Sequence, residues 1–499
     1  MSIALSRKTP ASKARPAAPS GPAPTRFSLF ALFFLSSLTV PGGALRAQEQ
    51  PSMPGMQTEH QHPEAPSELE FPRLGRAQPG ARFTLDRALE TARQNNPTYR
   101  QAEAGIRAAR ARAQQSALYP NPTVGYAGDE IRGGEYHGGE QGFFVEQTIV
   151  TGGKLARTRE VFNKQTQLAQ IEAEEQKIRV ETAAKTAFYR VLAAQEMAGS
   201  RADLSRIAGA TLDSYRQLAN TGQVDETELL AAELEYHRAK LAARMMENTL
   251  REEWRLLAAV LGQPDLPLET VSGDLEHGWP ELDEHQVETI ETESPASRIA
   301  SASSDRSQAQ LARARREKIP DILARVGLDY NHEPLDNPLL TTGWEWNAQL
   351  AVELPLFNRN QGNVAAARAE IDRAQAEKLR VALLLRERAS SAFDEYANAR
   401  LSAEEYRDTI LPLAKKSYRL ISERYGEMLA AYPRVLESKR KLFELEEEYI
   451  ASLESVWTTG LALEGFLLTD GLEAPTEPEE MNRTIRETNL PTPERTRLP

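Results

Sequence analysis

The 499-residue chain has no cysteine. A disulfide framework, a thiolate metal site and a cysteine-borne N-terminal lipid anchor are therefore excluded. Long apolar runs are scarce as well. The one uninterrupted stretch, Phe27 to Val40, has 14 residues, short of the ~20 that a spanning helix needs. With 40% apolar residues and a mean hydropathy of -0.52, the chain is not a multi-span helical membrane protein. Positive charge is in deficit, with 60 Lys and Arg against 72 Asp and Glu, which argues against a nucleic-acid partner.

The short apolar run is preceded by Arg7, Lys8, Lys13, Arg15 and Arg26 without an acid, and small residues follow near Ala44 and Ala47. This is the pattern of a secretory signal, assigned to residues 1–47. Its removal takes away six basic residues and leaves a mature charge of -18. Residues 48–82 carry six prolines and little periodic apolar content, and 469–499 are rich in Pro, Glu and Thr. Both read as disordered.

Between these ends one pattern is written twice. The first copy, 83–264, holds a helix ending near Tyr119-Pro120, a β-rich stretch to Thr151, a very long helical run, a glycine at 222 and a return helix. The second copy, 294–468, repeats that order with Ile319-Pro320, Leu356 and Gly426 at the corresponding places. An acidic, proline-broken linker, 265–293, joins them. The return helices carry 3-4 seams, Leu229 to Val260 and Val435 to Phe466, which imply left-handed coiled-coil packing. The long runs, about Gly152 to Ala219 and Asn358 to Tyr425, would each reach roughly 100 Å at 1.5 Å per residue.

The strands alternate. Trp344, Trp346, Ala348, Leu350, Val352, Leu354 and Leu356 share one face, with Glu345, Asn347, Gln349, Ala351 and Glu353 on the other. Ile322 to Tyr330 repeats the alternation opposite Arg325 and Asp329, and Val124, Tyr126, Phe143, Val145 and Ile149 do so in the first copy. Such segments describe transmembrane β-barrel strands, or a half-buried sheet in a soluble protein. Two hairpins make four strands, too few to close a barrel, so several chains are required.

Several motifs in this order resemble the TolC-like outer-membrane efflux family, and within it the heavy-metal efflux channels. They are Thr84-Leu85-Asp86-Arg87-Ala88-Leu89 before Asn95-Asn96-Pro97; Leu118-Tyr119-Pro120-Asn121-Pro122; Glu146-Gln147-Thr148 before Thr151-Gly152-Gly153-Lys154; and Leu354-Pro355-Leu356-Phe357-Asn358. The resemblance implies a mainly α protomer of duplicated helix-hairpin-helix form. Three copies would build a 12-stranded β-barrel in the outer membrane, continued by a 12-helix α-barrel in the periplasm. It further implies a homotrimer embedded in outer-membrane lipid, a periplasmic adaptor, and an inner-membrane transporter of the RND type.

No enzymatic constellation is found. Gly152-Gly153-Lys154 lacks the leading glycine and the Ser/Thr of a phosphate loop, and no HExxH is present. No cofactor is expected. The candidate residues belong to a conduit. Glu146, Glu345 and Glu353 on the polar strand face would form carboxylate rings favouring cations. The turns at Gly222 and Gly426 lie at the rod ends far from the strands, where the resemblance places adaptor docking and an acidic gate; Glu437 falls near the expected gate carboxylate, with Arg434 where another acid would stand. Met53, Met56, His60 and His62 in the leader carry thioether and imidazole groups suited to Cu(I), Ag(I), Zn(II) or Ni(II). The expectation is the exit duct of a tripartite efflux pump exporting small solutes, metal cations among them. A protein-secretion channel and a periplasmic coiled-coil scaffold are the competing readings.

Overall fold

Two long helical runs are the frame on which every other element is placed. In a computed structural model the described residues are 83–133, 136–137, 139–334, 341–427, 429 and 432–475, all within the unit Ala65–Pro499. The chain runs β1 (Phe83–Thr84), α1 (Leu85–Asn95), α2 (Pro97–Gln115), β2 (Thr123–Asp129), β3 (Arg132–Gly133), β4 (Tyr136–His137), β5 (Glu140–Ile149), α3 (Lys154–Asn220) and α4 (Glu226–Val260). It continues with β6 (Val271–Ser272), α5 (His285–Glu293), α6 (Pro295–Arg316), β7 (Ile322–Pro334), β8 (Thr341–Val352) and α7 (Gln361–Glu405). A π-helical turn, Tyr406–Ile410, leads into α8 (Leu411–Gly426), and α9 (Tyr432–Glu464) closes the sequence. At 67 residues, α3 spans roughly 100 Å.

Local chemistry sets the boundaries. Asn96 and Ser294 cap α2 and α6, each followed by proline at the first helical position, where the missing N–H costs nothing. Asp225 caps α4 with Glu226 and Glu228 in its first turn. Each long run is entered through a left-handed residue, Gly153 (φ 69°) before α3 and Asn360 (φ 59°) before α7, residue types that tolerate this conformation. Asp321, between α6 and β7, pins the first of these turns by accepting from Thr151 N (2.8 Å) and Lys154 Nζ (2.8 Å).

Strands β2, β5, β7 and β8 form one antiparallel sheet in that order. The helices repeat the order. Nearest the sheet, α2 packs on α3, α3 on α6 and α6 on α7; farther along, α4 packs on α3, α3 on α9, and α9 on α7 and α8. The result is four staves: α2 with α4, α3, α6 with α9, and α7 with α8. Every strand of this sheet prolongs one of them. Both layers are open, with α2, α4 and β2 on one margin and α7, α8 and β8 on the other. Among the described residues no helix is long and apolar enough to cross a membrane.

The core lies at mid-length. Val180 to Ala193 of α3, Leu385 to Ala403 of α7 and Leu442 to Leu463 of α9 are joined there by Phe83, Ala88 and Ala92. The segment read as a linker packs into this core: Val271, Leu275 and Ile290 are buried. Its carbonyls are bonded inward, Leu266 O by Trp254 Nε1 (3.0 Å), Leu275 O by Trp457 Nε1 (2.9 Å) and Pro280 O by the Tyr396 hydroxyl. Its β6 pairs in parallel with β1, Phe83 opposite Val271.

Helix α9 buries more than one seam. Val435, Leu442, Tyr449, Val456 and Leu463 are buried, but so are Lys439, Glu446, Leu453 and Trp457 beside them. A stave flanked on both sides needs a contact surface for each neighbour. The sequence pattern showed one, because the charges at 439 and 446 interrupt the other.

Asn96 ties three segments together. It is fully buried; its Nδ2 donates to Val260 O (2.8 Å) and Gly471 O (3.2 Å), while its Oδ1 accepts from Thr98 N (2.9 Å). Asn96→Ala removes the cap and orphans two carbonyls, so it should cost about 2–3 kcal/mol, read as a fall in the denaturation midpoint of the mature protein.

Candidate functional site

The two faces of the sheet differ in kind, and the register shows how. Residues paired across strands share a face. One face reads, from the helix end toward the hairpin loops, Ile149–Ile322–Val352, then Gln147–Ala324–Leu350, Val124–Val145–Val326–Ala348, Tyr126–Phe143–Leu328–Trp346 and Gly128–Gln141–Tyr330–Trp344. It is apolar yet uncovered: Leu350 is 77% and Trp346 78% exposed. Its aromatics gather at the loop end, where Tyr330 meets Trp344 edge-on at 5.4 Å and Tyr126 meets Phe143 at 5.6 Å. An apolar band edged by aromatic rings is the pattern that lipid-facing barrel strands carry.

The opposite face has five rows. They are Thr148–Leu323–Ala351, Thr123–Glu146–Arg325–Gln349, Gly125–Phe144–Gly327–Asn347, Ala127–Gly142–Asp329–Glu345 and Asp129–Glu140–Asn331–Gly343. Of the three carboxylates read from the sequence, Glu146 and Glu345 sit on this face. Their surroundings differ. Glu146 lies directly across from Arg325, whereas Glu345 lies across from Asp329. Glu353 follows the end of β8 and is exposed. Asn331 Nδ2 donates to Glu140 Oε1 (3.0 Å), and Asn347 Nδ2 donates to Asp329. The acids of the loop-end rows, Asp129, Glu140 and Asp329, are absent from the set of three drawn from sequence, because only the pairing of β5 with β7 joins the hairpins into one surface.

At the far end of the rods, Gly222 (φ 74°) turns α3 into α4, and Gly426 ends α8. Arg434 and Glu437 are exposed in the first two turns of α9; Ala430 and Ala431, just before α9, lie outside the described residues. So do Met53, Met56, His60 and His62. Among the described residues no cluster of three metal-ligating His, Cys, Asp or Glu side chains occurs.

Just above the tip the staves enclose charge. Lys439 of α9 is buried, its Nζ 5.7 Å from the centroid of the Tyr418 ring of α8. Burial, aided by Arg206 of α3, lowers its pKa to about 8. Burial likewise raises Glu446 and Glu447, partly offset by Lys415 and Arg201 respectively. Lys415 Nζ lies 3.9 Å from Glu446, and Arg201 is ion-paired with Glu447.

No family model matches the chain. A membrane protein from Pseudomonas aeruginosa superposes with a TM-score of 0.64 at 16% identity, covering 81% of this chain and 99% of its own. CusC gives 0.59 at 16%, with 82% and 98% covered, and the open outer-membrane channel MtrE of Neisseria gonorrhoeae 0.58 at 16%, with 85% and 99%. The fold is that of the TolC-like outer-membrane channels. In sequence, the cobalt-zinc-cadmium resistance protein CzcC of Cupriavidus metallidurans is 27% identical over 288 residues, 56% of this chain and 65% of CzcC. The match thus spans just under two thirds of that relative. The TolC-like resemblance read from the motifs therefore holds in fold across about four fifths of the chain.

Two outcomes test this geometry. If the apolar band faces lipid, Leu350→Arg should cost about 2–4 kcal/mol per chain, whereas Gln349→Arg on the opposite face should leave stability near wild type; comparative unfolding in detergent or lipid distinguishes them. For Lys439 the unfolded chain binds more protons between pH ~8 and ~10.5, so its burial penalty is full below pH 8 and fades as pH rises through that window. Lys439→Met should stabilise by about 1–3 kcal/mol at pH 7, with the gain vanishing above pH 10.5 in parallel melts.

Proposed function

We propose that the protein is the outer-membrane exit duct of a tripartite efflux pump, a passive conduit for small solutes and metal cations. The observation that carries this reading is the pairing of two open layers. A four-stranded sheet with an exposed apolar face continues into four staves, and both end in the same unpaired margins. An open strand edge in lipid leaves backbone groups unsatisfied at several kcal/mol each, so the sheet must close with further copies. Three copies give twelve strands and twelve staves. Exposed leucines run along the helices of both margins, Leu230, Leu234 and Leu241 on α4 and Leu383, Leu413 and Leu420 on α7 and α8, as expected where one copy's α4 meets the next copy's α8.

Metal cations are favoured by the relative, a cobalt-zinc-cadmium resistance protein, and by the carboxylates of the polar face. The energy comes from elsewhere: an inner-membrane transporter of the RND type, joined through a periplasmic adaptor that docks near Gly222 and Gly426. Glu437 and Arg434 are assigned to the aperture at that end. A periplasmic scaffold gives no reason for the exposed face of Leu350 and Trp346.

The mature protein should require detergent for solubility and elute as a trimer in light-scattering chromatography. Leu241→Glu or Leu413→Glu, each placing a carboxylate in the contact between copies, should shift it toward monomer by tenfold or more in dissociation constant, given roughly 1.4 kcal/mol per decade. A wild-type chain that is monomeric and soluble without detergent overturns the reading.

A further inference from the structure

The polar face holds one feature that a uniformly acidic duct does not need. In the charged row nearest the helices, Arg325 stands between Glu146 and Gln349, and its guanidinium lies over the Phe144 ring, 3.7 Å from the centroid. The ring has a prepared seat. Its cross-strand neighbours are Gly125 and Gly327, and a Cβ on Gly125 would come within 2.5 Å of the ring's Cζ. The absent side chain lets Phe144 lie along the wall, and the ring in turn gives Arg325 a flat platform. The stack holds the cation at a fixed height against the wall.

Row by row, the charge along the face is uneven. The helix-end row, Thr148–Leu323–Ala351, carries no charge; the inner charged row carries Glu146 and Arg325, which cancel; the next carries no charge; the two loop-end rows carry Asp329 with Glu345 and Asp129 with Glu140. We infer that Arg325, seated on Phe144, is a selectivity-setting residue of the duct: it neutralises the inner row and confines the cation-attracting field to the outer rows, next to the exit. The physical reason is release. A conduit acidic along its whole length would hold multivalent cations by many carboxylates at once, and conduction requires binding weak enough to leave. With the inner row balanced, the strand rows attract a cation strongly only where it is about to depart.

This inference rests on the channel reading above, and the test separates the two. Single trimers in a planar lipid bilayer are titrated with lanthanum(III) from the side bearing the hairpin loops, and the half-blocking concentration is recorded. Arg325→Gln leaves Glu146 uncompensated and should lower that concentration by roughly three- to tenfold; Arg325→Lys, which keeps the charge, should remain near wild type. An Arg325→Gln trimer that conducts and is blocked at the wild-type concentration, or an Arg325→Lys trimer that behaves like Arg325→Gln, overturns the selectivity role and leaves the channel standing. A wild-type protein that inserts and never conducts overturns both.

Discussion

The constraint on which this structure depends is the hydrogen-bonding demand of an open sheet edge. Strands β2 and β8 each present a row of N–H and C=O groups with no partner strand among the described residues, beside a face apolar enough to be drawn into lipid. Water cannot satisfy those groups there. The same openness is repeated in the helices, because every strand of this sheet is the prolongation of a stave and the two layers share one order. Closure of the sheet therefore dictates closure of the helical layer, and one protomer fixes the geometry of both.

The two sequence copies share this work unequally. The first sends one uninterrupted 67-residue helix along its stave. The second reaches about the same length through α7, a π-helical turn and α8. A π turn adds one residue to the circuit, so side chains beyond it are rotated relative to those before it. At this place the chain meets the segment 265–293 and α9: Arg407 of the turn lies over the Trp279 ring, 5.6 Å from its centroid, and the Tyr406 hydroxyl donates to Glu448 (2.7 Å).

Much of this was legible in the sequence, for identifiable reasons. Alternation in Trp344 to Val352 reveals a strand with one apolar face, since a period of two has few other causes. Heptads and their length reveal the rods. Asn96-Pro97 and Ser294-Pro295 mark helix starts because a capping side chain and a fixed φ are local chemistry. What stayed hidden depends on contacts distant in sequence. The pairing of β5 with β7 across some 170 residues made a surface of rows from two hairpins distant in sequence, and only then did Arg325 come to stand opposite Glu146. The second seam of α9 was masked by Lys439 and Glu446, charges whose burial depends on flanking staves. The segment 265–293 looked like a connector because its inward bonds use backbone carbonyls, which no side-chain pattern records.

That segment, with α1 and the β1–β6 pair, grips the long helices near their midpoints. The belt is thus a fulcrum, and each arm beyond it is roughly 50 Å long. An angular error of one degree at the fulcrum becomes a displacement of about 1 Å at either extremity. The positions of both ends of the staves are therefore governed from their waist, where Tyr189 stacks on Trp457 with centroids 3.7 Å apart and the tilt of every arm is set.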